Sequence, residues 1–215
     1  MTRGFFIAIE GGEGAGKSTQ AKILADRLRE TAYDVVVTRE PGGTRIGERI
    51  RAITHDTENV DLHAKTEAYL MAASRAQHVT EIIEPALASG KIVICDRFLD
   101  SSIAYQGYGR KLGAEKITEL NALAVDGIIP DITILLDVPV DVGLSRRNGS
   151  HKNLDRLDTQ QKDFYDRVND GYRTLAKRNS GRYGVIDATR SIPDVASRIW
   201  SVVSEVLGKR NGKAN

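Results

Sequence analysis

The segment from Phe5 to Ser18 constrains this chain more than any other. An unbroken apolar run, Phe5-Phe6-Ile7-Ala8-Ile9, closes on Glu10 and meets a turn of the spacing Gly-x4-Gly-Lys-Ser at Gly11 to Ser18. A helical pattern begins at Lys17. Strand, glycine turn and helix N-terminus in that order aim successive backbone N–H groups into one concavity, where the helix dipole adds positive potential. Such a P-loop is a cradle for the polyphosphate of ATP. Lys17 is placed to reach the β- and γ-phosphates, and the Ser18 hydroxyl to hold Mg2+. Gly11, Gly12, Glu13, Gly14, Ala15, Gly16, Lys17, Ser18 and Thr19 are therefore the expected nucleotide-binding residues.

Five apolar runs recur along the 215 residues, at 5–10, 34–38, 92–96, 132–137 and 183–187. Their β-branched residues do not alternate with polar ones, which predicts strands covered on both faces and hence a parallel sheet. Helical patterns separate them at 17–31, 44–52, 66–89, 114–125, 140–147, 160–178 and 192–206. The alternation predicts an α/β fold, a five-stranded parallel sheet sandwiched by helices, with ligands outside the carboxyl ends of the strands. One P-loop domain is expected over 1–207, with a small lid at about 146–157 and a frayed tail at 208–215.

Composition narrows the partners. The 31 basic and 29 acidic residues are interspersed and leave a net charge of +2, which argues against a nucleic-acid partner. No apolar stretch approaches the roughly 18 residues that cross a bilayer, so no membrane partner is expected. The single Cys95 sits within an apolar strand and reads as a core residue of a cytoplasmic protein.

The acids and arginines at the strand ends sharpen the chemistry. Asp96 closes the third run and is suited to hold Mg2+. Arg97 follows it at the mouth of the cradle, and a guanidinium there matches the phosphate of an acceptor. Arg39 and Arg75 are further candidates. Arg146, Arg147, Lys152 and Arg156 flank a polar break and predict a basic closing lid, against the plainer reading of a solvated helix end. A GTP-driven switch would carry Asp-x-x-Gly and Asn-Lys-x-Asp motifs, and the chain has neither.

Several motifs taken together resemble bacterial thymidylate kinases. They are the P-loop itself, Thr38-Arg39-Glu40-Pro41-Gly42-Gly43-Thr44, Ala73-Ser74-Arg75-Ala76-Gln77-His78, and Asp96-Arg97-Phe98 followed by Ser102, Tyr105, Gln106 and Gly107. Asp155-Arg156-Leu157-Asp158, and Phe164 with Arg167, Val168, Gly171 and Tyr172, continue the order. The resemblance implies a homodimeric enzyme that transfers the ATP γ-phosphate to dTMP. It implies that Glu13 approaches the sugar 3′-hydroxyl, Arg97 grips the acceptor phosphate and Arg75 hydrogen-bonds a thymine carbonyl. Ser102 and Gln106 would lie at the base, Tyr105 beside the sugar, and Glu40-Pro41 in a turn over the acceptor. Ser101 and Ser102 stand equally where they would cap the following helix, the reading preferred for Ser101.

Two departures from that family pattern matter. Where the family generally stacks a phenylalanine on the base, this chain has Met71, a softer and less rigid wall. None of the variable P-loop positions (Gly12, Glu13, Gly14, Ala15) is basic, so the charge for the transferring group must come from the lid. Arg147 and Arg156 are the expected catalytic arginines beside Lys17, with Arg146 expected against adenine.

Overall fold

A computed structural model of the chain describes residues 3–149, 156–157 and 160–211. Its first half runs β1 (Phe5–Gly11), α1 (Lys17–Glu30), β2 (Val35–Arg39), α2 (Arg45–His55), α3 (Ala64–His78), α4 (Glu84–Ala88), β3 (Ile92–Asp96) and α5 (Leu99–Ser102). The second half continues with α6 (Ala114–Val125), β4 (Ile132–Asp137), α7 (Val140–Asn148), α8 (Lys162–Arg178), β5 (Tyr183–Asp187) and α9 (Ile192–Asn211). The strands form one parallel sheet in the order β2-β3-β1-β4-β5. The chain order reverses at β1, and the crevice beyond its carboxyl end is where such a sheet binds ligands.

Side chains alternate across β1 with the two-residue period of a strand. Phe5, Ile7 and Ile9 face Leu24 and Leu28 of α1 and Ile199 and Val203 of α9. Phe6 and Ala8 face the opposite way, onto Ile83, Leu87 and Phe98. Burial on both faces is why the central strands read as continuous apolar runs, whereas the edge strands β2 and β5 expose Val37 and Val185. The register then aligns the polar strand ends: Arg39 of β2 pairs with Asp96 of β3, and Asp96 with Ile9 of β1. Three loops leave the sheet side by side.

Sequence and structure differ in places that have physical causes. The single helical pattern at 66–89 is two helices joined by a wide π-turn over Val79–Ile83. Pro85 lacks an N–H and its ring crowds the carbonyl four residues back, which a wider turn relieves. A second π-helical stretch, Ile103–Gly109, follows α5 and carries Tyr105 and Gln106 into the core. The expected tail at 208–215 is partly helical, since α9 runs to Asn211. Leu207 sits in the core, and the Arg210 guanidinium donates to the Gly4 carbonyl at 3.0 Å. Of the expected lid, residues 150–155 lie outside the described residues, as do 212–215 of the tail.

Candidate active site

The cradle is built by three close approaches. Gly14 and Gly16 lie at φ 64° and 90°, where an L side chain is strained. A Cβ on Gly14 would also fall 2.0 Å from the Gly143 carbonyl, so the loop packs directly against α7. No side chain caps α1 at Gly16, which leaves the first N–H groups of the helix for an anion. Lys17 Nζ donates to the carbonyls of Gly12 at 2.8 Å and Gly11 at 3.1 Å, folding its ammonium over the loop. Burial and the nearby Arg97 bring the Lys17 pKa down to about 8, with Glu13 and Asp96 opposing, so it stays charged near neutrality. Ser18 Oγ donates to the Asp96 carboxylate. That hydroxyl and carboxylate in contact form the hard oxygen set that suits Mg2+.

Beside the loop stands Arg97, which donates to the Gly11 carbonyl at 3.2 Å and is held in the left-handed region at φ 70°. Such a backbone is costly for a side-chain-bearing residue and persists only where its surroundings fix it. Here the fixing group is Glu10, fully buried at the end of β1. Its carboxylate accepts from the N–H groups of Phe98 at 2.8 Å and Ser101 at 3.2 Å. It also accepts from Ser101 Oγ at 2.5 Å and the Tyr172 hydroxyl at 3.0 Å. The turn after Arg97 is thereby tied to the strand before the cradle. Burial, then the Asp100 charge, push the Glu10 pKa up to about 7 against these hydrogen bonds.

The Arg97 guanidinium reaches Glu13 Oε1 at 2.7 Å and the Tyr105 hydroxyl at 3.1 Å, and lies 4.8 Å from the Tyr105 ring centre. Tyr105 donates in turn to Glu13 at 2.6 Å. Burial works to raise the Glu13 pKa, but Arg97, Lys17 and the Tyr105 hydroxyl hold it at about 2. An ionised Glu13, a charged Arg97 and a charged Lys17 thus share one cavity of about 430 Å³.

The far wall of that cavity is lined from three elements. Met71 and Arg75 come from α3, Ser102 from α5 and Gln106 from the π-helical stretch. Tyr69 points away, 64% exposed. Arg75 donates to Glu40 at 2.8 Å, to the Asn121 side chain, and to the Phe98 carbonyl at 3.0 Å. Glu40 precedes Pro41 through a cis peptide bond, and both line the cavity. Gln106 donates to Glu67 at 2.8 Å.

Three expectations change. Arg156 does not reach the cavity. It is buried against Glu67, to which it donates, and its Nε donates to the Thr54 carbonyl at 3.0 Å. Glu67 is fully buried between Arg156 and Arg110; burial raises its pKa, and those two arginines bring it below the ordinary carboxylate value. A buried pair of this kind holds walls together because either partner alone would be an uncompensated charge. Ser101 and Ser102 lie inside α5 rather than capping it, and Ser101 belongs to the Glu10 network. Arg39 lines the cavity rim but is engaged with both Glu48 oxygens, at 2.8 and 2.9 Å.

Arg146 and Arg147, at the end of α7, do line the cavity. Arg146 donates to the Ala188 carbonyl at 2.8 Å, which fixes it over the loop after β5. Arg147 is near enough to help hold the Glu13 pKa down. The structure adds site roles that the sequence did not assign: Arg51 and His55 on one face of α2 line the cavity, and Glu10 and Tyr172 lie beneath Arg97. The i, i+4 spacing of Arg51 and His55 was the available signal for the first pair.

A parallel sheet with a phosphate cradle, and a buried arginine beside it at the strand ends, defines a P-loop phosphotransferase. Residues 9–199 match the family described as thymidylate kinase. The chain is 47% identical to the thymidylate kinase of Geobacillus thermodenitrificans over 209 residues, 96% of this chain and 93% of that protein. It is 48% identical to that of Thermomicrobium roseum over 209 residues, covering 96% and 99%. The crystal structure of thymidylate kinase from Ehrlichia chaffeensis superimposes with a TM-score of 0.77 at 38% identity, covering 94% of this chain and 99% of that one. The chain belongs to the thymidylate kinase family.

Glu10→Gln separates charge from shape in the network beneath Arg97. A carboxyl raised from 4.5 to about 7 contributes its full stability below pH 4.5 and loses it as the pH rises through about 7. The wild-type advantage in unfolding free energy over Glu10→Gln should therefore shrink by about 2–3 kcal/mol between about pH 5 and about pH 8. Urea unfolding at both pH values measures it; a constant difference would show Glu10 ionised throughout.

Proposed function

We infer that this chain transfers the γ-phosphate of ATP directly to dTMP, giving dTDP and ADP, with Mg2+ as the metal. One observation carries the reading: the Arg97 guanidinium sits beside the P-loop in the same cavity as Lys17, both donating to the Gly11 carbonyl, so a second cationic group adjoins the phosphate cradle. Membership of the thymidylate kinase family supports ATP as donor and dTMP as acceptor.

The residues act by position and charge. The P-loop N–H groups and Lys17 hold the donor phosphates, while Arg97 and Arg51 receive the acceptor phosphate. Glu13, released from Arg97 as that phosphate arrives, turns to the sugar 3′-hydroxyl. Arg75 retains N–H donors beyond the three it uses in the protein, which suits a base carbonyl. Met71 and Phe98 supply apolar walls, and Ser102 and Gln106 supply polar edges. Ser18 and Asp96 would hold Mg2+, which would supply positive charge to the donor phosphates.

An acceptor phosphate oxygen forms a bond to the γ-phosphorus as the bond to the β–γ bridging oxygen breaks, and ADP leaves with that electron pair. No general base is required, because the acceptor is already anionic. Arg147 covers the transferring group, Arg146 lies against the adenine side, and Arg156 supports the wall from behind. The chain functions in the cytoplasm, a reading supported by its lone cysteine, buried and unpaired by any disulfide.

The enzyme is a homodimer through the face formed by α2, α3 and α6. These helices pack side by side, and Ile53, Tyr69 and Leu123 project from them, Leu123 88% exposed. Sedimentation at micromolar concentration should return twice the chain mass, and a monomer would reject the interface.

Incubation with ATP, Mg2+ and each nucleoside monophosphate in turn should yield diphosphate fastest from dTMP. Lys17→Ala should lower that turnover at least ~1,000-fold, as losing a preorganised charge at the transferring group does, while leaving thermal unfolding nearly unchanged. Substantial turnover in the variant, or a preference for another base, defeats the reading.

A further inference from the structure

His55 is the cavity-lining histidine among the described residues, and nothing in the transfer step uses it. It ends α2 one turn after Arg51, so both side chains lie on the same helix face and line the same cavity. Its Nδ1 lies 3.0 Å from Thr54 Oγ1, which in turn donates to the Arg51 carbonyl at 3.2 Å. Nε2 has no hydrogen-bond partner among the described residues.

The charged groups that face the ring come from four directions. Arg51 lies on its own helix, Arg97 comes from the end of β3 and Glu13 from the P-loop. Arg156 approaches from behind, its backbone N–H donating to the His55 carbonyl at 3.0 Å. Arginines outnumber the carboxylate. Burial first, then the charges of Arg51 and Arg97, lower the pKa of the ring to about 4, so it is neutral near pH 7 while the cavity holds no acceptor.

An acceptor phosphate reverses that local potential. It brings up to two negative charges to the arginines that keep the ring neutral, and a nearby anion favours the protonated imidazole. The local geometry accommodates the added proton. Nδ1–H donates to Thr54 Oγ1, the Thr54 hydroxyl donates to the Arg51 carbonyl, and Nε2–H is left for the ligand.

We propose that His55 is a proton-linked binding residue for the acceptor: as the phosphate settles by Arg51 and Arg97 the ring takes one proton from solvent at Nε2, and that N–H donates a hydrogen bond to a phosphate oxygen. This rests on the placement of the acceptor phosphate given above. A histidine is the side chain for which such a shift crosses the physiological range. Because binding raises the His55 pKa, its contribution to affinity is largest at low pH and fades as the pH rises through the bound-state value.

Calorimetric titration with dTMP at neutral pH, in two buffers of different ionisation enthalpy, counts the protons taken up. Thymidine is the phosphate-free control, and His55→Gln keeps the size of the side chain without a titratable ring. Wild type should take up about half to one proton per dTMP and none with thymidine, and His55→Gln should lose the uptake. The variant should bind dTMP roughly three- to tenfold more weakly near pH 6.5 and less than about twofold more weakly near pH 8.5. Glu10 and Glu13 remain in the variant, so uptake that survives there belongs to them and overturns the proposal. Tighter binding of dTMP than thymidine without proton uptake also overturns it, while leaving the phosphate placement standing. Equal affinity for the two ligands would defeat the placement, and the proposal with it.

Discussion

The ion pair between Arg97 and Glu13, closed across the ends of β1 and β3, is the contact on which the site depends. Each partner comes from a different loop, and each would be an uncompensated, largely buried charge alone. The pair joins the P-loop to the Asp96–Arg97 turn, which Glu10 fixes from beneath before any ligand arrives. It is also exchangeable. In the function proposed above, an incoming phosphate would replace Glu13 as the anion on Arg97, and the freed carboxylate would take a hydroxyl in return. A phosphorylated sugar offers both groups a few ångströms apart.

Charge is layered around that pair. Beneath it, Glu10 ties the Arg97 turn to β1 through two backbone N–H groups and two hydroxyls. To the side, Glu67 holds Arg110 and Arg156 and orients Gln106 toward the base wall. Neither carboxylate lines the cavity. Both keep guanidinium and amide groups in place so that little reorganisation is left for the moment of transfer, which is where electrostatic catalysis has its advantage. Lys17 and Arg147 complete the positive lining on the donor side.

Much of this architecture was legible in the sequence. The central strands announce themselves because burial on both faces removes polar alternation, so 92–96 and 132–137 were read to the residue; the edge strand 183–187 was too, although its outer face is exposed. The P-loop is legible because glycine positions, lysine and flanking elements are all required together. Arg97, Tyr105 and Gln106 could be placed in the cavity from their strand-end and motif positions. What stayed hidden depends on contacts between distant segments. Arg156 reads as a lid cation by local charge, yet Glu67, 89 positions away in the chain, draws it under the wall. Ser101 reads as a cap because serine caps helices, and only the fold brings Glu10 beneath it. The π-turns at Val79–Ile83 and Ile103–Gly109 leave no period of their own to read.

The claim that Arg97 receives the acceptor phosphate is tested most directly by the affinities of wild type and Arg97→Ala for dTMP and thymidine. Removing one partner of a charge-assisted contact costs about 2–5 kcal/mol, so dTMP should bind roughly 30-fold or more weakly to the variant. Thymidine, which has no phosphate, should bind within about threefold of wild type. A parallel loss for both ligands would mean that Arg97 only supports the fold of the cavity, and would contradict the account.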